Sequence, residues 1–289
     1  MAFLKIMILA IVQGLAELLP VSSSAHVVVA EKLMGLDPSA PAMTLLLVML
    51  HTGTMFAVIV YFWRRWRRTY FSSMEQFKRV AVQVILASAL TGVIGYGLQW
   101  VITKVAFRGV PGAQIEDLFS HLEWIAPALA LGGILILIAG RRERKSVPVT
   151  VFKGEDLNTG QATLIGAVQG LCLPFRGLSR SGATISTAML AGVAKNSAEN
   201  FSFALAVVLT PAVVARETLR VLHMEHQGGA ASLGSAAVPS LVGAVLAFLV
   251  GLIALKWLSG WLESGRWYLF GVYCLVAAAV VAGFYIAGY

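Results

Sequence analysis

Eight apolar regions in 289 residues constrain this chain more than any other feature: six run on unbroken, and two are each cut by a proline and a cluster of polar residues. The unbroken stretches, at roughly 41–63, 80–102, 123–140, 200–216, 236–258 and 266–289, are long enough, or nearly so, to cross a hydrocarbon core of ~30 Å, which takes about 20 helical residues. The interrupted ones, 3–36 and 160–195, break at Pro20-Val21-Ser22-Ser23-Ser24 and at Pro174-Phe175-Arg176-Gly177-Leu178-Ser179-Arg180-Ser181-Gly182. Each yields two segments too short to span. Such segments read as re-entrant hairpins, because non-helical backbone at membrane depth survives only where protein or a water-filled cavity satisfies its polar groups.

Composition agrees. The chain is 58% hydrophobic and 12% charged, against about 45–50% apolar residues in ordinary soluble domains. A net charge of +8 raises the question of nucleic acid, but the basic residues sit in short clusters between apolar runs, where a membrane protein carries them, and nucleic acid is set aside. Placing loop 64–79 on the cytoplasmic side puts fourteen lysines and arginines there and six on the other side, Arg176 and Arg180 being left to the hairpin. Cys172 and Cys274 have neither disulfide nor metal-ligand spacing and read as packing residues. The apolar N-terminus carries Gln13 and Glu17 and leads into a polar motif, so it is expected to be retained.

Val12-Gln13-Gly14-Leu15 recurs as Val168-Gln169-Gly170-Leu171, each copy followed by a proline and a serine-rich turn. Both halves, about 1–145 and 155–289, read short, short, span, span, span. Three spans per half is odd, so the second half inserts upside down. The expected fold is therefore an all-α polytopic membrane protein forming one membrane domain: an inverted repeat of two five-segment halves, with six spanning helices and two re-entrant helix hairpins. In such folds the site lies near the midplane, where broken segments of the two halves meet.

Gln13 and Glu17, four residues apart, share a helical face. A carboxylate at membrane depth costs about 2.5–3.5 kcal/mol even on permissive insertion scales, so Glu17 marks an ion path, a metal or a catalytic role, unless it is paired structurally with Arg180. His26 follows Ser22 by four residues and Ser23 by three, a spacing that brings an imidazole against a serine hydroxyl within one helical turn, the nucleophile-and-base arrangement of covalent catalysis. In the second motif Ser179, Arg180, Ser181 and Gly182 stand where a helix begins. Hydroxyls, helix N-terminal N–H groups and a guanidinium together receive a phosphate-like dianion, and the planar fork of arginine suits two phosphate oxygens better than lysine. Arg176 fits an arginine reaching to an interface. His51, His121, His223 and His226 read as structural or solvated, His51 standing apart because it lies inside a spanning stretch. The glycine-rich stretch 227–234 reads as a flexible loop.

At these residues the sequence resembles the undecaprenyl-diphosphate phosphatases of bacteria, the group associated with bacitracin resistance. The resemblance rests on Gln13 and Glu17 with Pro20-Val21-Ser22-Ser23-Ser24-Ala25-His26, on Ser179-Arg180-Ser181-Gly182-Ala183-Thr184-Ile185-Ser186 and on Phe201-Ser202-Phe203-Ala204-Leu205-Ala206. A weaker likeness runs through His51-Thr52-Gly53-Thr54 and Phe62-Trp63-Arg64-Arg65. It implies hydrolysis of a prenyl diphosphate lipid, undecaprenyl diphosphate, to the monophosphate and phosphate. The implied setting is the bacterial plasma (inner) membrane, with a divalent cation and a site open to the periplasmic or outer face. Two departures stand out. Gln13 occupies a place where many members have a second glutamate, and Arg176-Gly177-Leu178 replaces a common Pro-Gly-x.

Joined to the residue chemistry, the resemblance leads to a definite expectation. Arg180, with Ser179, Ser181, Gly182 and Ser24, holds the phosphates, and Mg²⁺ or Ca²⁺ sits with Glu17 and Gln13. Ser23 or Ser22 attacks, or positions a water, with His26 as base. A carrier or flippase of a phosphorylated prenyl lipid is the rival, since inverted repeats with broken helices are also transporter architecture. The sequence leaves open whether the chain works alone or as a homo-oligomer among the membrane lipids.

Overall fold

The computed structural model describes residues 3–37, 40–106, 122–145, 157–226 and 233–287, and all regular structure among them is helical. The elements are α1 (Phe3–Ala16), α2 (Ser23–Leu33), α3 (Pro41–Thr69), α4 (Met74–Ala106), α5 (Leu122–Lys145), α6 (Thr159–Cys172), α7 (Arg180–Leu190), α8 (Lys195–His226), α9 (Leu233–Glu263) and α10 (Trp267–Ile286). Six are long and apolar enough to cross a membrane: Ala42–Thr69, Met74–Val105, Leu122–Arg142, Lys195–Leu219, Ala237–Glu263 and Trp267–Ile286. They match the six stretches read from the sequence and overrun several of them, because hydropathy fades before the helical backbone does. The chain is thus a multi-pass helical membrane protein, and its outer surface agrees: Val93, Ile253 and Val238 are 73%, 65% and 70% exposed, a lipid-facing rather than water-facing pattern. His121, Arg108, Lys153 and positions 227–232 lie outside the described residues, as do the side chains of His223 and His226; α9 begins at Leu233.

The two interrupted regions form matching pairs. α1 and α6 are each 14 residues, α2 and α7 each 11. Pro20 supplies no N–H and ends the first helix's ladder. Ser22, at φ 66, takes the left-handed backbone that side-chain-bearing residues rarely adopt, and turns the chain into α2. In the second region Asn158 and Gln161 close a capping box at the start of α6. Gly177, at φ 115, turns the chain before α7, a backbone that glycine adopts without steric cost.

α1 packs along α9 and α6 along α4, while α3 pairs with α9 and α5 with α10. The glycine of each repeated motif makes a close approach. A Cβ on Gly14 would lie 2.8 Å from Val250 Cβ of α9, and one on Gly170 would lie 2.9 Å from Ile94 Cβ of α4. Apolar association in lipid depends on such backbone proximity, since hydrocarbon is as apolar as the helices themselves. The core between these layers holds Phe62, Phe203, Ile136, Ile185 and Trp267. Buried polar links stitch it: Trp267 Nε1 donates to Ser186 Oγ at 3.0 Å, Thr184 and Ser202 hydroxyls lie 2.6 Å apart, and Thr91 Oγ1 donates to Gly166 O at 2.8 Å. An ion pair joins the half-buried Arg65 Nη1 to the buried Glu199 Oε2 at 3.1 Å, and Ser259 Oγ donates to Glu199 Oε1 at 2.6 Å, tying α3, α8 and α9. Cys172 and Cys274 are buried free thiols, as packing residues are.

Candidate active site

The two interrupted regions meet. Glu17, one residue past α1, directs Oε1 at Arg180 Nη2 across 2.9 Å, joining residues 163 apart in sequence. Its other oxygen, Oε2, accepts from Ser23 Oγ at 2.5 Å and from Gln13 Nε2 at 3.1 Å. The helical spacing of Gln13 and Glu17 does put them on one face, and Gln13 is buried. Ser181 Oγ donates to Leu19 O at 3.3 Å and Cys274 Sγ to Pro20 O at 3.3 Å, so the Pro20 break is held by both α7 and α10.

Arg180 is only half satisfied. While Nη2 is paired with Glu17, Nη1 is buried with no hydrogen-bond partner. An unpaired buried donor costs about 1–3 kcal/mol, more when charged, so an anion at Nη1 is the natural complement. Around it, Ser179 is the N-cap of α7: its hydroxyl accepts from Gly182 N at 3.2 Å and lies 3.4 Å from Ser181 Oγ. Both hydroxyls are buried and already partnered, so part of the expected anion receptor serves the helix start.

His26 has partners the sequence spacing did not foretell. Rather than a serine hydroxyl, its Nδ1 meets the backbone carbonyl of Ser22 at 2.7 Å, and its Nε2 meets Tyr273 Oη at 2.7 Å. The carbonyl only accepts, so Nδ1 carries a proton; in the neutral ring Nε2 then accepts from the tyrosine. The rings stack 5.7 Å apart at 13°. Ser23 is the hydroxyl aimed at a base, and the base is Glu17. Ser22 Oγ and Ser24 Oγ lie 3.3 Å from each other.

Two residues join the site that sequence reasoning missed. Tyr273, in the middle of α10, had no motif around it. His51, read as structural or solvated, places Nε2 3.6 Å from Glu17 Oε2, while Nδ1 donates to Leu47 O at 2.8 Å. The signal available for it was an ionisable side chain inside a spanning segment.

Glu17, Gln13 and the serine hydroxyls are hard oxygen donors of the kind Mg²⁺ and Ca²⁺ take. Among the described residues no group of three or more His, Cys, Asp or Glu could hold a metal. The donors thus fit a cation whose shell is completed by phosphate oxygens, not one caged by protein.

Fold and site together define a polytopic helical membrane protein with one carboxylate, one guanidinium and a set of hydroxyls assembled between two broken helix pairs. The chain belongs to the bacitracin resistance protein BacA family, whose sequence profile matches residues 6–280. It is 58% identical over 284 residues to a protein of Acinetobacter baylyi named undecaprenyl-diphosphatase 2, covering 97% of each chain. It is 31% identical over 290 residues to an undecaprenyl-diphosphatase of Lachnoclostridium phytofermentans, covering 98% of this chain and 97% of the other. One from Desulfosudis oleivorans is 32% identical over 290 residues, covering 94% and 95%.

Proposed function

We propose that this protein is a membrane phosphatase that hydrolyses undecaprenyl diphosphate to undecaprenyl phosphate and inorganic phosphate, returning the lipid carrier to cell-wall synthesis. The observation that carries the reading is the Arg180 guanidinium, held on one side by Glu17 and left on the other with a buried, unpartnered Nη1. The full-length likeness to proteins named undecaprenyl-diphosphatase supplies the substrate and favours hydrolysis over carriage.

Arg180 binds the terminal phosphate through Nη1, with Ser24 and the N-terminus of α7 beside it, an N-terminus that Ser179, Ser181 and Gly182 shape through their own hydrogen bonds. Ser23 Oγ attacks the terminal phosphorus in line; the bond to the bridging oxygen breaks, and undecaprenyl phosphate leaves. The serine proton passes to Glu17 Oε2, its hydrogen-bond partner. Water then displaces the phosphoryl group from Ser23, whose Oγ recovers its proton from Glu17, while His26 Nε2 exchanges the hydrogen bond from Tyr273 Oη for one from the water and takes the water's proton. In the alternative course Ser22 or Ser23 positions a water that attacks directly. Mg²⁺ or Ca²⁺ bound by Glu17 and Gln13 together with the substrate would supply neutralisation of phosphate charge.

The matched helix lengths, and the reciprocal packing of α1 on α9 and α6 on α4, support an inverted repeat of halves 1–145 and 155–289. The hairpins then re-enter the membrane and meet near its midplane. The lysine and arginine bias puts loop 64–79 in the cytoplasm of a bacterial inner-membrane protein and the site toward the periplasmic face.

Purified protein in detergent, given undecaprenyl diphosphate, should release phosphate, and EDTA should stop it. Tight binding of the lipid with no release would move the reading to a carrier, and release untouched by EDTA would remove the cation.

A further inference from the structure

We propose that the turn joining α3 to α4 carries a binding site for an anionic phospholipid. Arg64, Arg67, Arg68 and Lys78 take the headgroup phosphate, and the rings of Trp63, Phe71 and Phe77 lie along the glycerol and the upper acyl chain. The site is on the outer surface of the helix bundle and apart from the Glu17–Arg180 cluster: His51, which reaches Glu17, and Trp63 are twelve residues apart on α3, about 18 Å along its axis.

Trp63-Arg64-Arg65-Trp66-Arg67-Arg68 closes the apolar run of α3, and helical spacing sorts these residues into two sets. Trp66 is buried and donates Nε1 to Asn200 O at 3.3 Å, and Arg65 turns to Glu199 at 3.1 Å. Trp63, Arg64, Arg67 and Arg68 face outward and are exposed. Trp63 and Arg67 stand one turn apart on one stripe of the helix, Arg64 and Arg68 on the next. The chain then reverses in a turn held by its own hydrogen bonds: Tyr70 N and Phe71 N both donate to Trp66 O, at 2.7 and 3.1 Å, and Gln76 N donates to Ser73 Oγ at 3.1 Å. That turn brings Phe71 back against Trp63, ring centroids 6.2 Å apart, and Phe77 of α4 stacks on Phe71 at 5.6 Å. Lys78, next to Phe77, is exposed. From Val60 to Val80 the one acidic residue is Glu75.

Position and charge together select the occupant. Trp63, Phe71 and Phe77 are 51%, 50% and 43% exposed, and they pack on one another rather than in the buried core. The span of α3 closes at Thr69 and that of α4 opens at Met74, so the three rings sit where hydrocarbon gives way to headgroups, the level that aromatic side chains favour in a bilayer. Guanidinium forks bind phosphate oxygens in pairs. A zwitterionic headgroup brings its own cation to such a patch, whereas an anionic one answers the charge, and basic clusters directly beside a spanning helix have this preference. A soluble polyanion would meet the cations and leave the rings in water. Elsewhere Lys104 Nζ lies 4.2 Å from the Trp100 ring centroid, one cation on one ring. The α3–α4 turn differs in gathering several cations around a stack.

The probe is dioleoyl phosphatidylglycerol, compared with dioleoyl phosphatidylcholine. Native mass spectrometry of the full-length chain in a non-ionic detergent, titrated with each lipid, reads the lipid retained per protein. Wild type should hold phosphatidylglycerol at least about fivefold more tightly than phosphatidylcholine. Arg64→Gln, Arg67→Gln and Arg68→Gln together should weaken phosphatidylglycerol about tenfold or more, and Trp63→Ala with Phe71→Ala should weaken it while leaving every charge in place. Arg141→Gln, Lys256→Gln and Arg266→Gln remove the same charge elsewhere and should leave retention as in wild type. Melting curves separate a lost site from a lost fold, and the wild-type comparison of the two lipids decides without any variant. Equal retention of both lipids, a folded Arg64, Arg67 and Arg68 variant that binds as wild type does, or an equal loss in the Arg141, Lys256 and Arg266 variant would overturn the site. Displacement of the lipid by millimolar inorganic phosphate would overturn the lipid as its occupant. Lipid retention is read without turnover, so this inference and the phosphatase reading fail separately.

Discussion

Tyr273 Oη lies 2.7 Å from His26 Nε2, and the two rings stack 13° from parallel. A residue of the last helix thus holds the orientation of a histidine near the start of the chain, 247 positions away. Tyr273→Phe keeps the stack and removes the hydroxyl. We expect turnover to fall about tenfold, the equivalent of one hydrogen bond of roughly 1.4 kcal/mol, with thermal stability nearly unchanged. Phosphate-release kinetics and a melting curve on the same preparation check it; a fall in stability with no change in turnover would make Tyr273 a packing residue only.

Gln13→Glu places a second carboxylate against Glu17 Oε2, where the amide now donates. Without divalent cation the variant should be less stable by about 1–3 kcal/mol, since a donor is lost and a like charge gained. With cation the loss should reverse, and half-maximal activity should come at lower cation concentration. Titration of activity and of melting temperature with Mg²⁺ measures both.

Outside the Glu17–Arg180 cluster, Glu199 accepts from Arg65 and Ser259 while fully buried. Glu199→Ala leaves Arg65, whose side chain is 33% exposed, to water, and strands the Ser259 hydroxyl, so it should destabilise by about 1–3 kcal/mol, with turnover per folded molecule intact. The double variant Arg65→Met, Glu199→Leu should recover most of that loss. Chemical denaturation of the single and double variants decides it.

Much of this architecture was legible because lipid leaves few options. Runs such as 123–140 and 236–258 had to be helices, and the Pro20 and Pro174 breaks had to be buried by protein. The pairing of Glu17 with Arg180 was also readable, as two costly charges on halves expected to face one another. What escaped was set by tertiary contacts with no local signature. His51 and Tyr273 are single polar residues in apolar spans, and only the packing of α3 and α10 brings them to the motifs. Helical spacing put His26 near Ser22, but the same i−4 spacing serves the backbone carbonyl as well as the hydroxyl, and the sequence does not say which the imidazole takes. Helix ends escaped likewise: α3 continues through Arg64, Arg65, Arg67 and Arg68 because arginine is a good helix former, though hydropathy stops there.

The central claim is that Arg180 holds the transferred phosphate. The most direct measurement is phosphate release from undecaprenyl diphosphate by wild-type, Arg180→Lys and Arg180→Ala proteins, each shown to be folded by its melting curve. Loss of a preorganised charged donor should cost at least about 10²-fold in turnover for Arg180→Ala, with Arg180→Lys between it and wild type. Folded Arg180→Ala that releases phosphate at the wild-type rate would contradict the account.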